Sequence, residues 1–100
     1  MILDRGYIIV EPKEKFKNWI KLNQENDFVS LDETEPSIYL IEDNFLEDDI
    51  VIKSYYEEIF MYELESTGIH DSFWPEITLD EFYCLFELKL GVSVIDLKSK

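Results

Sequence analysis

The chain has 100 residues, 46% hydrophobic and 15% aromatic, a composition that makes one globular domain over residues 1–100 and excludes a disordered chain. Its 23 acids against 9 bases leave a net charge of −14, a field that repels phosphates and excludes ordinary DNA or RNA binding. No apolar run is long enough to span a membrane, and a single cysteine, Cys84, excludes an internal disulfide.

The start, MILDRG, has no basic region leading into an apolar one. No secretory signal is expected, and cytoplasmic residence is the default. The charge is uneven. Residues 1–22 carry Arg5, Lys13, Lys15, Lys17 and Lys21 against Asp4, Glu11 and Glu14, a net of +2. Residues 23–100 carry a net of −16. Such a field attracts basic proteins and speeds their encounter; its simplest role is solubility.

In chain order, Tyr7, Ile8, Ile9 and Val10 form a β-branched run between Gly6 and Pro12, a first strand. Ile8 and Val10 are expected to face helices, leaving Tyr7 and Ile9 on a second apolar face that needs partial cover by the chain or a second subunit. A helix follows over about residues 13–24, with Phe16, Trp19, Ile20 and Asn23 on its inner stripe. The acidic connection 23–36 holds Ser30 and Glu33 at capping-box spacing. Residues 37–41, SIYLI, form the second strand.

The densest aromatic and aliphatic stretch, IVIKSYYEEIFMYEL from Ile50 to Leu64, predicts the central helix over about residues 45–66. Ile52, Tyr56, Ile59 and Phe60 share its inner face, and Glu57, Glu58, Met61 and Glu65 the outer one. Asn44 and Glu47 stand at capping-box spacing, Asp48 and Asp49 complement the helix dipole, and Gly68 is placed to end the helix. Phe73, Trp74 and Pro75 then form a loop in which Trp74 is expected as a buried anchor, its exit fixed by Pro75. Thr78 and Glu81 make a capping box opening a third helix to about Leu90, stopped by Gly91. Residues 92–97 are the last strand.

The order β-α-β-α-α-β predicts an α+β two-layer sandwich, with a small three-stranded mixed sheet and helices mainly on one face. The long strand–helix–strand connection predicts a right-handed parallel crossover.

The motifs YEEIF-x2-EL, WP, F-x3-F and VIDL, carried by Tyr56 to Leu64, Trp74-Pro75, Phe82/Phe86 and Val94 to Leu97, resemble a family of small acidic bacterial proteins of unassigned function. The resemblance covers about the C-terminal two thirds of the chain. His70-Asp71-Ser72-Phe73 stands where that pattern has an acidic loop ending at tryptophan. The resemblance implies one compact domain and carries over no activity, cofactor or catalytic residue.

Candidate chemistry is sparse. Asp43, Asn44, Glu47, Asp48 and Asp49 offer oxygen ligands but lack the alternation, glycine and terminal Glu of a calcium loop; capping and the helix dipole account for them, and no metal or cofactor is expected. Cys84 has Asp80, Glu81 and Glu87 near it in sequence, which dull a thiol's reactivity; it reads as a half-buried residue at the edge of a stripe. His70, the single histidine, follows the central helix and reads as a loop residue, with Asp71 beside it. Trp19, Trp74 and the tyrosines lie at helical spacing and read as core.

Glu63 breaks the pattern, falling near the centre of the apolar face. Its place one turn before the helix end puts it at the rim. If buried, it must find donors or be neutralised. Candidate donors are the Trp74 indole, tyrosine hydroxyls and amides near His70. Bonds to the FWP loop would depress its pKa; dominant desolvation would raise it and make Glu63 the best general-acid candidate.

The leading functional expectation is a non-catalytic acidic module binding a basic protein partner, through Asp48, Glu57, Glu58 and Glu65. An inhibitor or immunity protein, or a mimic of DNA charge, is its concrete form. The alternatives are a structural domain dimerising through the apolar sheet face, and an enzyme using Glu63, His70 and Asp96.

Overall fold

The computed structural model describes residues 2–3, 5–23, 35–42, 47–95 and 97–98. The elements are β1 (Ile2–Leu3), β2 (Gly6–Pro12), α1 (Glu14–Asn23), β3 (Ser37–Ile41), α2 (Asp48–Ser66), a 3-10 turn (Asp71–Phe73), α3 (Leu79–Leu85), β4 (Phe86–Gly91) and β5 (Val94–Ile95). The class is α+β, and the order of the principal elements is the one the sequence predicts. Residues 24–34, with the Ser30/Glu33 spacing, and residues 43–46, with Asp43 and Asn44, lie outside the described set, as does Asp96.

The main sheet has the order β3-β2-β4, and both pairings are antiparallel. The expected parallel crossover and mixed sheet are therefore corrected. The connection from Asn23 to Ser37 is long enough to permit either strand sense, so the handedness rule for parallel units does not apply. A separate two-stranded ribbon pairs Ile2 with Ile95 and Leu3 with Val94.

Alternation along β2 turns Ile8 and Val10 inward, both fully buried, and leaves Tyr7 and Ile9 half-buried on the outer face. Across the sheet, Ser37, Tyr39 and Ile41 of β3 share the inner face, while Ile38 and Leu40 are exposed on the outer one. Helices cover the inner face only. Their contribution to the core is Phe16 and Ile20 from α1, Val51, Ile52, Ile59, Phe60 and Leu64 from α2, and Phe82 and Leu85 from α3.

The third helix ends five residues earlier than predicted. Thr78 caps it as the sequence requires, its Oγ1 accepting the Glu81 N–H at 3.2 Å. After Leu85 the chain turns directly into β4, with Phe86 at φ −132° and ψ 143°. Phe86, Leu88 and Leu90 alternate with Glu87 and Lys89, a strand period within residues that individually favour helix. Pairing with β2 decides the outcome, Val10 lying opposite Leu88 and Pro12 opposite Phe86. The Lys13 N–H also donates to the Leu85 carbonyl at 2.8 Å, tying the end of β2 to the junction.

Helix α2 starts later than predicted, with Glu47 as N-cap and no side-chain cap bond. Its C-terminus follows the sequence signal: Gly68 takes φ +73° and donates its N–H to the Glu65 carbonyl at 3.1 Å. Trp74 is half-buried rather than fully buried, and Phe73 is exposed. The loop is nevertheless tied down twice. The Trp74 indole donates to the Ile69 carbonyl at 3.0 Å, and the Trp19 indole of α1 to the Phe73 carbonyl at 3.2 Å.

Tyr7 lies across Gly91 on the outer face, and a Cβ at Gly91 would fall 2.3 Å from the Tyr7 hydroxyl. Gly91→Ala is expected to cost about 1–3 kcal/mol through displacement of that ring. In a Tyr7→Ala background the cost should vanish. A double-mutant cycle from urea unfolding checks this; simple additivity would show that the ring is not the constraint.

Candidate functional site

The most developed surface feature is the seam where α2 passes the edge strand β3. On α2, Tyr55, Glu58, Ile59 and Tyr62 recur at i, i+3, i+4 and i+7, one stripe of a helix. They face Tyr39, Leu40 and Ile41 of β3 across a groove. Glu58 and Tyr62 also border its continuation along the outer side of α2, lined further by Met61 and Glu65. The more enclosed part holds about 170 Å³. That is below the ~300–1,000 Å³ of small-molecule sites and suits a single side chain.

Glu63 secures the seam from within. It is 7% exposed, so it is not at the rim. Its Oε2 accepts the Tyr39 hydroxyl at 2.5 Å and the Ser37 hydroxyl at 3.1 Å, both from β3. A tyrosine hydroxyl was among the expected donors; the Trp74 indole and the loop amides are not used. Burial pushes the Glu63 carboxyl above the usual carboxylate range, and the bonds from Tyr39 and Ser37 oppose this without overcoming it. The depressed value expected from a tie to the loop is corrected accordingly. Burial also raises the Tyr39 phenol, with the Glu63 carboxylate adding to it.

Two further tyrosines pair with carboxylates nearby. The Tyr55 hydroxyl donates to Glu42 at the end of β3, a bond that holds the Glu42 carboxyl below its ordinary value. The Tyr56 hydroxyl donates to Glu57 at 3.2 Å.

Asp48, Glu57, Glu58 and Glu65 are all exposed. The structure brings Glu58 and Glu65 together along the groove, whereas Glu57 is engaged by Tyr56 and Asp48 lies in the first turn of α2. Pro75 is half-buried beside Trp74. Cys84 is exposed rather than half-buried.

The Glu63, His70 and Asp96 grouping is not assembled among the described residues. Glu63 bonds to β3, and it lines neither part of the groove. His70 caps the 3-10 turn, its Nδ1 accepting the Ser72 N–H at 3.1 Å. An Nδ1 that accepts carries no proton, so its 3.3 Å approach to Asp71 is an ion pair only when the ring is protonated. Among the described residues no group of three His, Cys, Asp or Glu is placed to hold a metal ion. No helix among them is long and apolar enough to cross a membrane.

Sequence reasoning missed Ser37, Tyr39, Tyr55 and Tyr62 as partners in one feature. Alternation along β3 put Ser37 and Tyr39 on one face, but only the antiparallel sheet order places that face beside α2. The chain matches no family model, no curated protein and no solved structure, so its function is argued from this geometry.

Because the folded Glu63 pKa is raised, the group's contribution to stability is fully present below the ordinary value of 4.5 and is lost as pH rises through the folded value. Glu63→Gln should therefore be close to wild type near pH 4 and gain on it as pH rises toward 7. Tyr39→Phe, which leaves the carboxylate with one donor, should cost about 1–3 kcal/mol at pH 7 and less near pH 4. Urea midpoints at the two pH values check both. A pH-independent difference for either variant would show that Glu63 does not titrate in this window.

Proposed function

We propose that this protein is a non-catalytic binding module for a basic protein partner. The observation that carries the reading is the groove between α2 and β3, whose aromatic lining is bordered by the exposed carboxylates of Glu58 and Glu65. Among the described residues no base is ion-paired to either carboxylate. Three described bases are engaged elsewhere: Lys15 pairs with Glu81 at 3.2 Å, the Lys13 ammonium donates to the Tyr83 carbonyl at 2.9 Å, and Arg5 Nε donates to the Ile41 carbonyl at 3.0 Å. The net −16 carried after Leu22 supports the same reading by attracting cationic surfaces from a distance. Masking of a basic toxin or nuclease surface, or imitation of nucleic-acid charge, is the concrete form this takes.

A second reading rests on the outer face of the sheet, which shares Leu40 with the edge of the groove. Ile38 and Leu40 are 66% and 48% exposed on the outer sheet face, next to Tyr7 and Ile9. That apolar face favours a homodimer of a structural domain. Sedimentation separates the two readings: self-association abolished by Ile38→Glu supports the dimer, and a monomer at high concentration removes it.

For the leading reading, association with an isolated basic partner should slow about tenfold or more between 0.01 M and 0.15 M salt, as the Debye length contracts from about 30 Å to about 8 Å. Joint neutralisation of Asp48, Glu57, Glu58 and Glu65 to their amides should slow it comparably at low salt. Surface-immobilised binding kinetics check both. An on-rate indifferent to salt and to the four substitutions would overturn the charge-driven reading.

A further inference from the structure

We propose that the open end of the groove, between Glu58, Glu65 and the Tyr62 ring, is the seat of an arginine side chain presented by the basic partner. The inference rests on the binding-module reading and specifies what the partner must offer. Glu58 lies one helical turn before Tyr62, and both border the two parts of the groove. Tyr62 is 57% exposed, so its ring is open to a ligand. Its other neighbour is Tyr39, whose ring centroid lies 6.5 Å away at a tilt of 42°. Tyr39 is held in turn by Glu63, so the inner wall is anchored before any ligand arrives.

A guanidinium suits this arrangement better than an ammonium. It is planar, stacks on an aromatic face, and presents parallel N–H donors to a carboxylate at the same time. Lysine offers a point charge that can satisfy the carboxylate or the ring but lacks the fork and the flat face. Met61 lines the outer wall between Glu58 and Glu65 and supplies an apolar surface for the methylene stem. This open end holds about 250 Å³, room for a long side chain laid along the helix between Glu58 and Glu65.

A related grouping of charges stands at the other end of the seam. Arg5 donates from Nε to the Ile41 carbonyl, and its charge acts on Glu42 and on Tyr55. A guanidinium, a carboxylate and a tyrosine are thus gathered where β3 ends. The Glu58 end has the carboxylate and the tyrosine, and no base among the described residues fills the third place. Charge complementarity selects a cation from outside, and the ring selects arginine over lysine.

The test is a titration of the full chain, followed by amide NMR shifts, with two capped peptides identical except for arginine or lysine at one central position flanked by leucine and glycine. The arginine peptide should bind about threefold or more tighter, with shifts centred on residues 58–65. Glu58→Gln should weaken it about tenfold and Tyr62→Ser about threefold. Glu87→Gln, an exposed carboxylate on the sheet's opposite edge strand, should leave it unchanged. All three positions are exposed, and matching urea midpoints confirm that the variants fold. Equal affinity for the two peptides, equal effects of Glu58→Gln and Glu87→Gln, or no binding of the arginine peptide would each overturn the seat. The partner reading fails separately, if a basic protein's association proves indifferent to salt.

Discussion

The structure depends on the contact that Phe86 makes with three other phenylalanines. Its ring lies 4.6 Å from Phe16 of α1, 5.8 Å from Phe60 of α2 and 5.3 Å from Phe82 of α3. Phe86 is also the residue at which α3 becomes β4 with no linker between them. One side chain therefore joins the helical layer to the sheet, and its backbone passes from one to the other. Tilted and edge-on ring pairs of this kind add to the burial of large apolar area. The consequence reaches the surface. Phe60 fixes the rotation of α2 against the core, and that rotation carries Glu63 inward toward β3 while turning Tyr55, Glu58 and Tyr62 toward the seam.

The chain solves its electrostatic problem with phenols. It has 23 acids and 9 bases, too few cations to pair its carboxylates. Tyr39, Tyr55 and Tyr56 each donate a hydroxyl to a glutamate, to Glu63, Glu42 and Glu57 respectively. A hydroxyl satisfies a carboxylate's need for a donor without cancelling its charge. The negative field outside is thereby preserved while the carboxylate oxygens are held in place. A chain that used lysine for the same purpose would order its surface and lose the field together.

How much of this was legible in the sequence varies by element. β3 is found at its predicted bounds because SIYLI is short, alternating and β-branched. The end of α2 and the start of α3 follow Gly68 and Thr78, residues whose local chemistry leaves little choice. The inward face of β2 follows from alternation alone. The end of α3 was misread because Phe86 to Leu90 satisfies a helical stripe and a strand alternation equally, and Glu, Leu and Lys favour helix. The partner strand, more than seventy residues away in sequence, settled it. Strand sense failed for a related reason, since a long connection leaves it undetermined. Glu63 was visible as an anomaly, but its donors lie on β3 and could not be named before the sheet order was known. Trp74 was placed near the core correctly and its burial overstated, because Pro75 fixes the backbone direction without fixing how deep the ring goes.

The loop that follows α2 gives the molecule an optical property. Its two ends are held by indole nitrogens, Trp74 on the Ile69 carbonyl and Trp19 on the Phe73 carbonyl. These are the only tryptophans in the chain. Both chromophores therefore report on the same short segment, one from within it and one from the helix it docks against. Intrinsic tryptophan emission will register the undocking of that loop from α1 even when the seam between α2 and β3 is undisturbed. Of the six tyrosines, Tyr39, Tyr55 and Tyr62 lie at the seam and Tyr7, Tyr56 and Tyr83 elsewhere, so tyrosine absorbance reads both regions together. The docking of this one loop can therefore be followed without any label.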